Sequence, residues 1–203
     1  LVVGVDVSAA MLAVARADRP GIRLVRAEAV DLPFRDGTFH GVLGNFVLSH
    51  FRRYETALHD MVRVLRPGGR LAVSNWGPLE DDLDRTWRSL VEEVVPPEML
   101  RSVLGEAVPW EQRFADRAAL ADALGRAGLR QVRAELREYR FRYSLREYLE
   151  GRATSSTGRF VRDMLGPAAF EGFLERARDA FASRFADPLN DFRQVVFAVG
   201  TKP

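Results

Sequence analysis

Val2-Val3-Gly4-Val5-Asp6-Val7-Ser8, followed by Ala9-Ala10-Met11-Leu12-Ala13-Val14-Ala15-Arg16, is the stretch whose reading decides the fold. A short β-branched run ends at an acid, and a Ser then caps a helix whose apolar face carries Met11, Leu12 and Ala15. The order is strand, tight turn, helix. In open α/β sheets, ligands sit beyond the carboxyl ends of the strands, and an acid closing the second strand holds the hydroxyls of a ribose. Asp6 stands where such an acid would. A nicotinamide-dependent oxidoreductase is one reading of this arrangement, because the acid suits that ribose as well.

Downstream, Pro20-Gly21 marks a turn, and Ile22 to Arg26 alternates as a strand that runs into Glu28-Ala29. Leu32-Pro33-Phe34 and Asp36-Gly37 form a turn-rich connection into the apolar run 39–48, which reads as a parallel strand buried on both faces. Ala57, Leu58, Met61, Val62 and Leu65 share one helical face, and Arg66-Pro67-Gly68-Gly69 stops that helix. Arg70 to Ser74 follows as a strand, with Asn75-Trp76 at its carboxyl end.

The second half departs from plain alternation of strand and helix. Leu83, Trp87, Leu90, Val91 and Val94 are spaced as a helix that Pro96-Pro97 interrupts; Asp116 caps another, with Leu120, Ala121 and Leu124 inward and Gly128 closing it. Val132, Ala134 and Leu136 lie on one strand face, Tyr139, Phe141 and Tyr143 on the other, so a bulge is expected at 137–139. The run 194–200 is expected to return antiparallel beside this strand. Between them Pro167 opens a helix with an aromatic face of Phe170, Phe173, Leu174, Ala177 and Phe181, and the polar run Thr154 to Gly158 reads as a mobile loop. Segments 80–104 and 144–187 exceed what the sheet's own connections need. They read as substrate-lid insertions on a single domain spanning 1–203.

Composition narrows the function. The 203 residues suit one domain with a sizeable core. Thirty Lys and Arg against 28 Asp and Glu leave a formal charge of +2, and no basic block reads as a nucleic-acid stripe. Cysteine is absent, which removes disulfides, thiolate nucleophiles and Cys-based zinc sites. The three His, at 40, 50 and 59, lack ligand spacing with a third donor, so no metal is expected. No apolar run reaches spanning length and no signal peptide is read, which points to the cytoplasm.

V-V-G-V-D-V-S-x-x-M-L-x-x-A-R resembles the second strand and following helix of class I S-adenosylmethionine-dependent methyltransferases, in particular the small-molecule group that includes quinone methyltransferases. A-E-A-V-D-L-P-F-R-D-G-T-F at 27–39 and A-L-H-D-M-V-R-V-L-R-P-G-G-R-L at 57–71 extend the resemblance in the same order. It implies a Rossmann-like doubly wound α/β sheet, mostly parallel with an antiparallel last strand, in the order 3-2-1-4-5-7-6. The family's first strand ends in a Gly-rich turn; no G-x-G-x-G occurs here, so that strand is expected to be missing.

By the same resemblance, Asp6, Val7 and Met11 fall beside the cofactor, Glu28 and Ala29 at the adenine, and Asn45 and Phe46 over it. Glu28 stands where Asp is commoner, and His40 replaces the family's Asp after Phe39. His50 is the candidate base for an oxygen or nitrogen acceptor, and Trp76, Trp87, Phe170 and Phe173 are candidate walls for an apolar or aromatic one. The sulfonium supplies the reactivity and methyl passes by in-line displacement, so no triad or carboxylate pair is needed. Two rival readings remain: a partial chain that cannot hold the cofactor, with strand edges open to self-association, and the oxidoreductase, against which Leu32-Pro33-Phe34 and Arg66-Pro67-Gly68-Gly69 argue.

Overall fold

The computed structural model describes residues 1–203. β1 (Val3–Asp6) and β2 (Arg23–Arg26) pair in parallel with Asp6 opposite Arg26, joined by α1 (Ala9–Asp18). The Ser8 hydroxyl caps α1 by accepting from the Met11 amide at 3.3 Å, as the sequence leads one to expect. Of the anticipated apolar face only Leu12 is buried; Met11 is 56% exposed.

A second sheet holds β3 (Phe39–Asn45), β4 (Leu65–Trp76), β5 (Arg130–Tyr143) and β6 (Leu189–Thr201) in the order β3-β4-β6-β5. β3 and β4 are parallel, and β6 runs antiparallel to both β4 and β5, which is the expected returning hairpin. β1 does not pair with β3, so the strands form two separate sheets. The β1–α1–β2 unit is therefore held to the remainder by little hydrogen bonding or packing. The amides of Val3 to Asp6 should exchange with solvent at least about tenfold faster than those of Leu71 to Asn75. Hydrogen exchange read residue by residue checks this, and equal protection would contradict it.

α2 (Tyr54–Arg63) and α6 (Arg117–Arg126), the latter preceded by the short α5 (Glu111–Phe114), cover one face of the four-stranded sheet. Leu48, Leu58, Leu65, Leu71, Phe114, Leu124 and Val196 form the core there. The opposite face is open near β3, where Leu43 is 83% exposed. This corrects the expectation that 39–48 is buried on both faces. The strand also ends at Asn45, and Leu48–His50 forms a 3-10 turn. Val42 and Gly44 face the helices; Leu43, of opposite parity, faces a side on which no helix of this chain rests.

Two further differences have local causes. α2 ends at Arg63, and Arg66 to Gly69 then belongs to β4 as an irregularity, because Phe39 pairs with Leu65 while Gly41 pairs with Arg70. Gly68 takes φ +75°, and its amide donates to the Lys202 carbonyl at 2.9 Å. In β5 no bulge occurs at 137–139: the register runs unbroken from Arg133 to Tyr143, and the irregularity lies between Arg130 and Arg133, where Gln131 has φ +52°. The change of parity instead marks a change of covering layer. Val132 and Ala134 pack toward the α6 side, whereas Tyr143 packs into a second core.

That second core is a helical cap of α3 (Asp82–Glu92), α4 (Pro97–Ala107), α7 (Leu145–Thr154), α8 (Ser156–Leu165) and α9 (Pro167–Arg184). Thr154 to Gly158 is no loop. Ser155 caps α8 by accepting from the Gly158 amide at 3.1 Å, and Gly158 lies so close to the Arg152 and Ala153 carbonyls that a Cβ would collide with them. Charged groups fasten the cap to the sheet. Asp84 pairs with Arg152 and with Arg193 (2.9 Å), Arg193 also pairs with Asp191 (3.0 Å), and Asp81 accepts from the Phe192 amide (3.1 Å).

Candidate active site

At the carboxyl end of β1, one oxygen of Asp6 accepts from the Ser8 amide at 2.7 Å, and no hydrogen bond or ion pair occupies the other. Val7 beside it is 55% exposed, and its carbonyl accepts from Arg26 at 3.0 Å. At the end of β2, Glu28 is exposed without a side-chain partner and Ala29 is half-buried against the first core. Two adjacent parallel strands thus end in two acids, each with a carboxylate oxygen to spare. The backbone link is direct, because the Ala27 amide donates to the Asp6 carbonyl at 3.2 Å.

The segment after Ala29 is held by a contact that sequence reading missed. Asp60 accepts from the Leu32 amide at 2.5 Å, while Arg63 donates to the Leu32 carbonyl (2.9 Å), the Phe34 carbonyl (2.7 Å), Asp36 (2.8 Å) and Asp60 (2.6 Å). The only signal was two charged residues one turn apart on a helix read for its apolar face. Hydrogen bonding from Arg63 holds the Asp60 carboxyl below its ordinary range. The folded chain therefore binds that proton less readily than the unfolded chain. Its stabilisation is present at neutral pH and is lost as pH falls through the lowered value. Asp60→Asn should cost about 3 kcal/mol at pH 7, and urea titrations should show the gap from the parent closing in acid.

At the carboxyl ends of the second sheet, β3 and β4 present a polar clasp and an aromatic pair. The Ser74 hydroxyl donates to Asn45 at 2.5 Å and accepts from the Phe46 amide at 3.2 Å. Phe46 sits at φ +52°, in the left-handed region where a side chain of this size is rarely found. That backbone turns its ring onto Trp76, with centroids 4.3 Å apart and planes at 28°. Trp76 remains 44% exposed, so a flat apolar surface is offered at the carboxyl ends.

His50 closes the 3-10 turn after β3, its Nδ1 lying 3.2 Å from the Ala107 carbonyl. A carbonyl only accepts, so this geometry assigns the proton of the neutral ring to Nδ1 and leaves Nε2 with its lone pair free. The structure thus brings Asn45, Phe46 and Trp76 to one rim, with His50 in the 3-10 turn that follows β3, while Asp6, Val7, Met11, Glu28 and Ala29 belong to the first strands and α1. It does not bring Trp87, Phe170 and Phe173 there. These three are 3%, 4% and 1% exposed and pack on one another inside the cap, in place of the expected pocket wall. The reason is that the aromatic face of α9 turns toward α3 and not toward the carboxyl ends. His40 lies in β3, distant from this rim in sequence and strand position, and His59 lies exposed on α2. No group of His, Asp or Glu has metal-binding geometry.

Residues 1–73 match the family described as methyltransferase domain. Over that stretch the chain is similar to methyltransferases, and the match takes in 73 of its 203 residues. A demethylmenaquinone methyltransferase of Thermus thermophilus is 46% identical over 81 residues, covering 38% of this chain and 37% of that protein. One of Clavibacter sepedonicus is 31% identical over 140 residues, covering 64% and 57%. The chain thus spans between about a third and three-fifths of the length of these curated relatives. Among solved structures, the Haemonchus contortus phosphoethanolamine N-methyltransferase 2, in complex with phosphomonomethylethanolamine and S-adenosylhomocysteine, superposes with a TM-score of 0.56 at 16% identity, covering 99% of this chain and 43% of that one. This likeness shows the class I fold, mixed sheet included.

Proposed function

We propose that the chain transfers methyl from S-adenosylmethionine to a small aromatic or apolar acceptor, and that the acceptor is quinone-like. The observation that carries this is the pair of acids, Asp6 and Glu28, at the ends of adjacent parallel strands, with the Phe46–Trp76 stack at the carboxyl ends of the other parallel pair. Asp6 has the spare carboxylate oxygen that a ribose diol requires, and Glu28 with Ala29 offers an acceptor and an amide for an adenine edge. Val7 and Met11, exposed beside Asp6, supply apolar contact. The cofactor brings an electrophilic methyl group when bound. What the chain adds is placement: Asn45 and Ser74 hold the turn that orients Phe46, and the Phe46–Trp76 surface stacks a flat acceptor and excludes water from one side. His50 Nε2 takes the acceptor's proton.

The segments 80–104 and 144–187 choose the acceptor in this reading, through the shape of the rim that the cap presents. Exchanging them for a relative's should change the preferred acceptor and leave cofactor affinity nearly unaltered. The rival reading, a chain that keeps the fold without holding the cofactor, is favoured by one observation: β1 and β3 each have an edge unpaired by the other. Calorimetry on Leu1 to Pro203 separates the two readings. Asp6→Ala should weaken S-adenosylmethionine by about 1 to 3 kcal/mol through loss of a charge-assisted hydrogen bond, with a smaller loss for Glu28→Ala. If neither substitution changes the affinity, the assignment of these acids is wrong.

A further inference from the structure

Glu111 lies 61 positions from His50 in the chain, yet the fold laces their segments together. The His50 ring meets the Ala107 carbonyl at 3.2 Å, the Trp110 amide donates to the Ser49 carbonyl at 3.4 Å, and the Trp110 indole donates to the Phe51 carbonyl at 3.0 Å. From the sheet side, the fully buried Asn75 donates to the Glu111 carbonyl at 3.3 Å. Segment 107–111 is thereby fixed over the carboxyl ends of β3 and β4 from two directions. The Glu111 carboxylate itself is half-buried and makes neither a hydrogen bond nor an ion pair. An acid kept out of water and unpaired, in a chain with 30 Lys and Arg, needs a reason.

We propose that Glu111 is the positioning residue for His50, the carboxylate that balances the charge of the imidazole once His50 has taken the acceptor's proton. This rests on the methyl-transfer reading above. In the step concerned, a lone pair on the acceptor's oxygen or nitrogen forms the bond to the methyl carbon, and the carbon–sulfur bond breaks with its electron pair kept by sulfur. The acceptor's own O–H or N–H bond then gives its proton to Nε2 of His50. Nδ1, already donating to the Ala107 carbonyl, keeps its proton, so the ring becomes a cation. Glu111, on the segment laced to the His50 turn, supplies the counter-charge to that cation.

The other charged groups near this segment are Arg52, Glu106 and Arg113. Arg52 and Glu106 line an adjacent cleft of about 270 Å³ with Gly105 and Pro109. Arg113 lies exposed on the same short helix as Glu111 and makes no ion pair with it. Burial pushes the Glu111 carboxyl above its ordinary value, and the charge of His50 is what opposes the push.

The test is a carbon-13 titration of the side-chain carboxyls of Leu1–Pro203, with the Glu111 resonance assigned by its loss in Glu111→Gln. In His50→Gln the Glu111 midpoint should move to higher pH, because the neighbouring cation is gone. With a 1,4-naphthohydroquinone as probe acceptor, Glu111→Gln should lower kcat roughly tenfold or more, leave KM within about twofold, and displace the acid limb of the pH profile; Glu111→Asp should recover part of the rate. A Glu111 midpoint unmoved by His50→Gln, or a Glu111→Gln enzyme with the parent's kcat and pH profile, would overturn the proposal. Cofactor calorimetry on the same samples keeps the two readings apart. A parent chain that binds no S-adenosylmethionine refutes the methyl-transfer reading, whereas the titration reports on the Glu111–His50 pair in either case.

Discussion

Arg193→Met should lower the free energy of unfolding by about 3 to 5 kcal/mol, the larger part of a typical domain's margin of about 5 to 15 kcal/mol. Arg193 lies on β6 between Asp84 of α3 (2.9 Å) and Asp191 (3.0 Å), and Asp84 also receives Arg152 of α7. The Asp84 and Asp191 side chains are 12% and 4% exposed. Removal of Arg193 would leave one buried carboxylate without its counter-charge and the other with Arg152 alone. Arg193→Lys should recover only part of the loss, since an ammonium cannot serve both acids with the geometry of a guanidinium. Removing acid and base together, in Asp84→Asn with Arg193→Met, should cost less than the sum of the single changes.

The same cluster carries a pH signature. Burial raises the Asp191 carboxyl above its ordinary value, with Arg193 opposing. The folded chain thus holds this proton more tightly than the unfolded chain does. This group's contribution is most favourable in acid and declines as pH rises from the ordinary carboxylate value through the raised one. Without Arg193 the opposition is lost, so the decline should extend to higher pH. Urea unfolding at several pH values reads both effects. A loss under about 1 kcal/mol at pH 7 would show that the cluster is solvated and does not anchor the cap.

Phe173→Ala should cost about 3 to 5 kcal/mol, and it separates two roles for the aromatic face of α9. Phe173 is 1% exposed, edge-on to Trp87 at 5.5 Å and stacked on Phe170 at 6.0 Å. Truncation leaves a cavity between α3 and α9, where Trp87 and Phe170 lose their packing partner. If the face packed the cap only, thermal unfolding would shift strongly and acceptor preference would be unaltered. If it lined an acceptor pocket, stability would change little and preference would change. The observed burial leads us to expect the first result, and near-parental stability with an altered acceptor would disprove it.

Periodicity and capping made the elements legible. Ser8, Asp116 and Pro167 start their helices where local chemistry says they should, and Pro96-Pro97 divides α3 from α4. These features depend on residues within a turn of one another, so the order of letters suffices. The acids at the ends of β1 and β2 were legible for the same reason. Which face of a strand is covered was not. Leu43 looks like core by composition and is exposed, because covering depends on what lies opposite it. The parity change in β5 looks like a bulge and is a change of covering layer.

The sequence by itself determined the α/β class, the helix starts and stops, and the two strand-end acids, since each is decided by interactions between near neighbours. Only the tertiary structure decided that Trp87, Phe170 and Phe173 belong to the cap's core, that Asp60 and Arg63 hold Leu32 to Phe34, that Asp84 joins Arg152 and Arg193, and that the His50 ring meets the Ala107 carbonyl. Each of those relations spans from 28 to 109 positions of chain or depends on which helix faces which. No local pattern encodes such distances; they follow from how the sheet and the cap bury their apolar faces together.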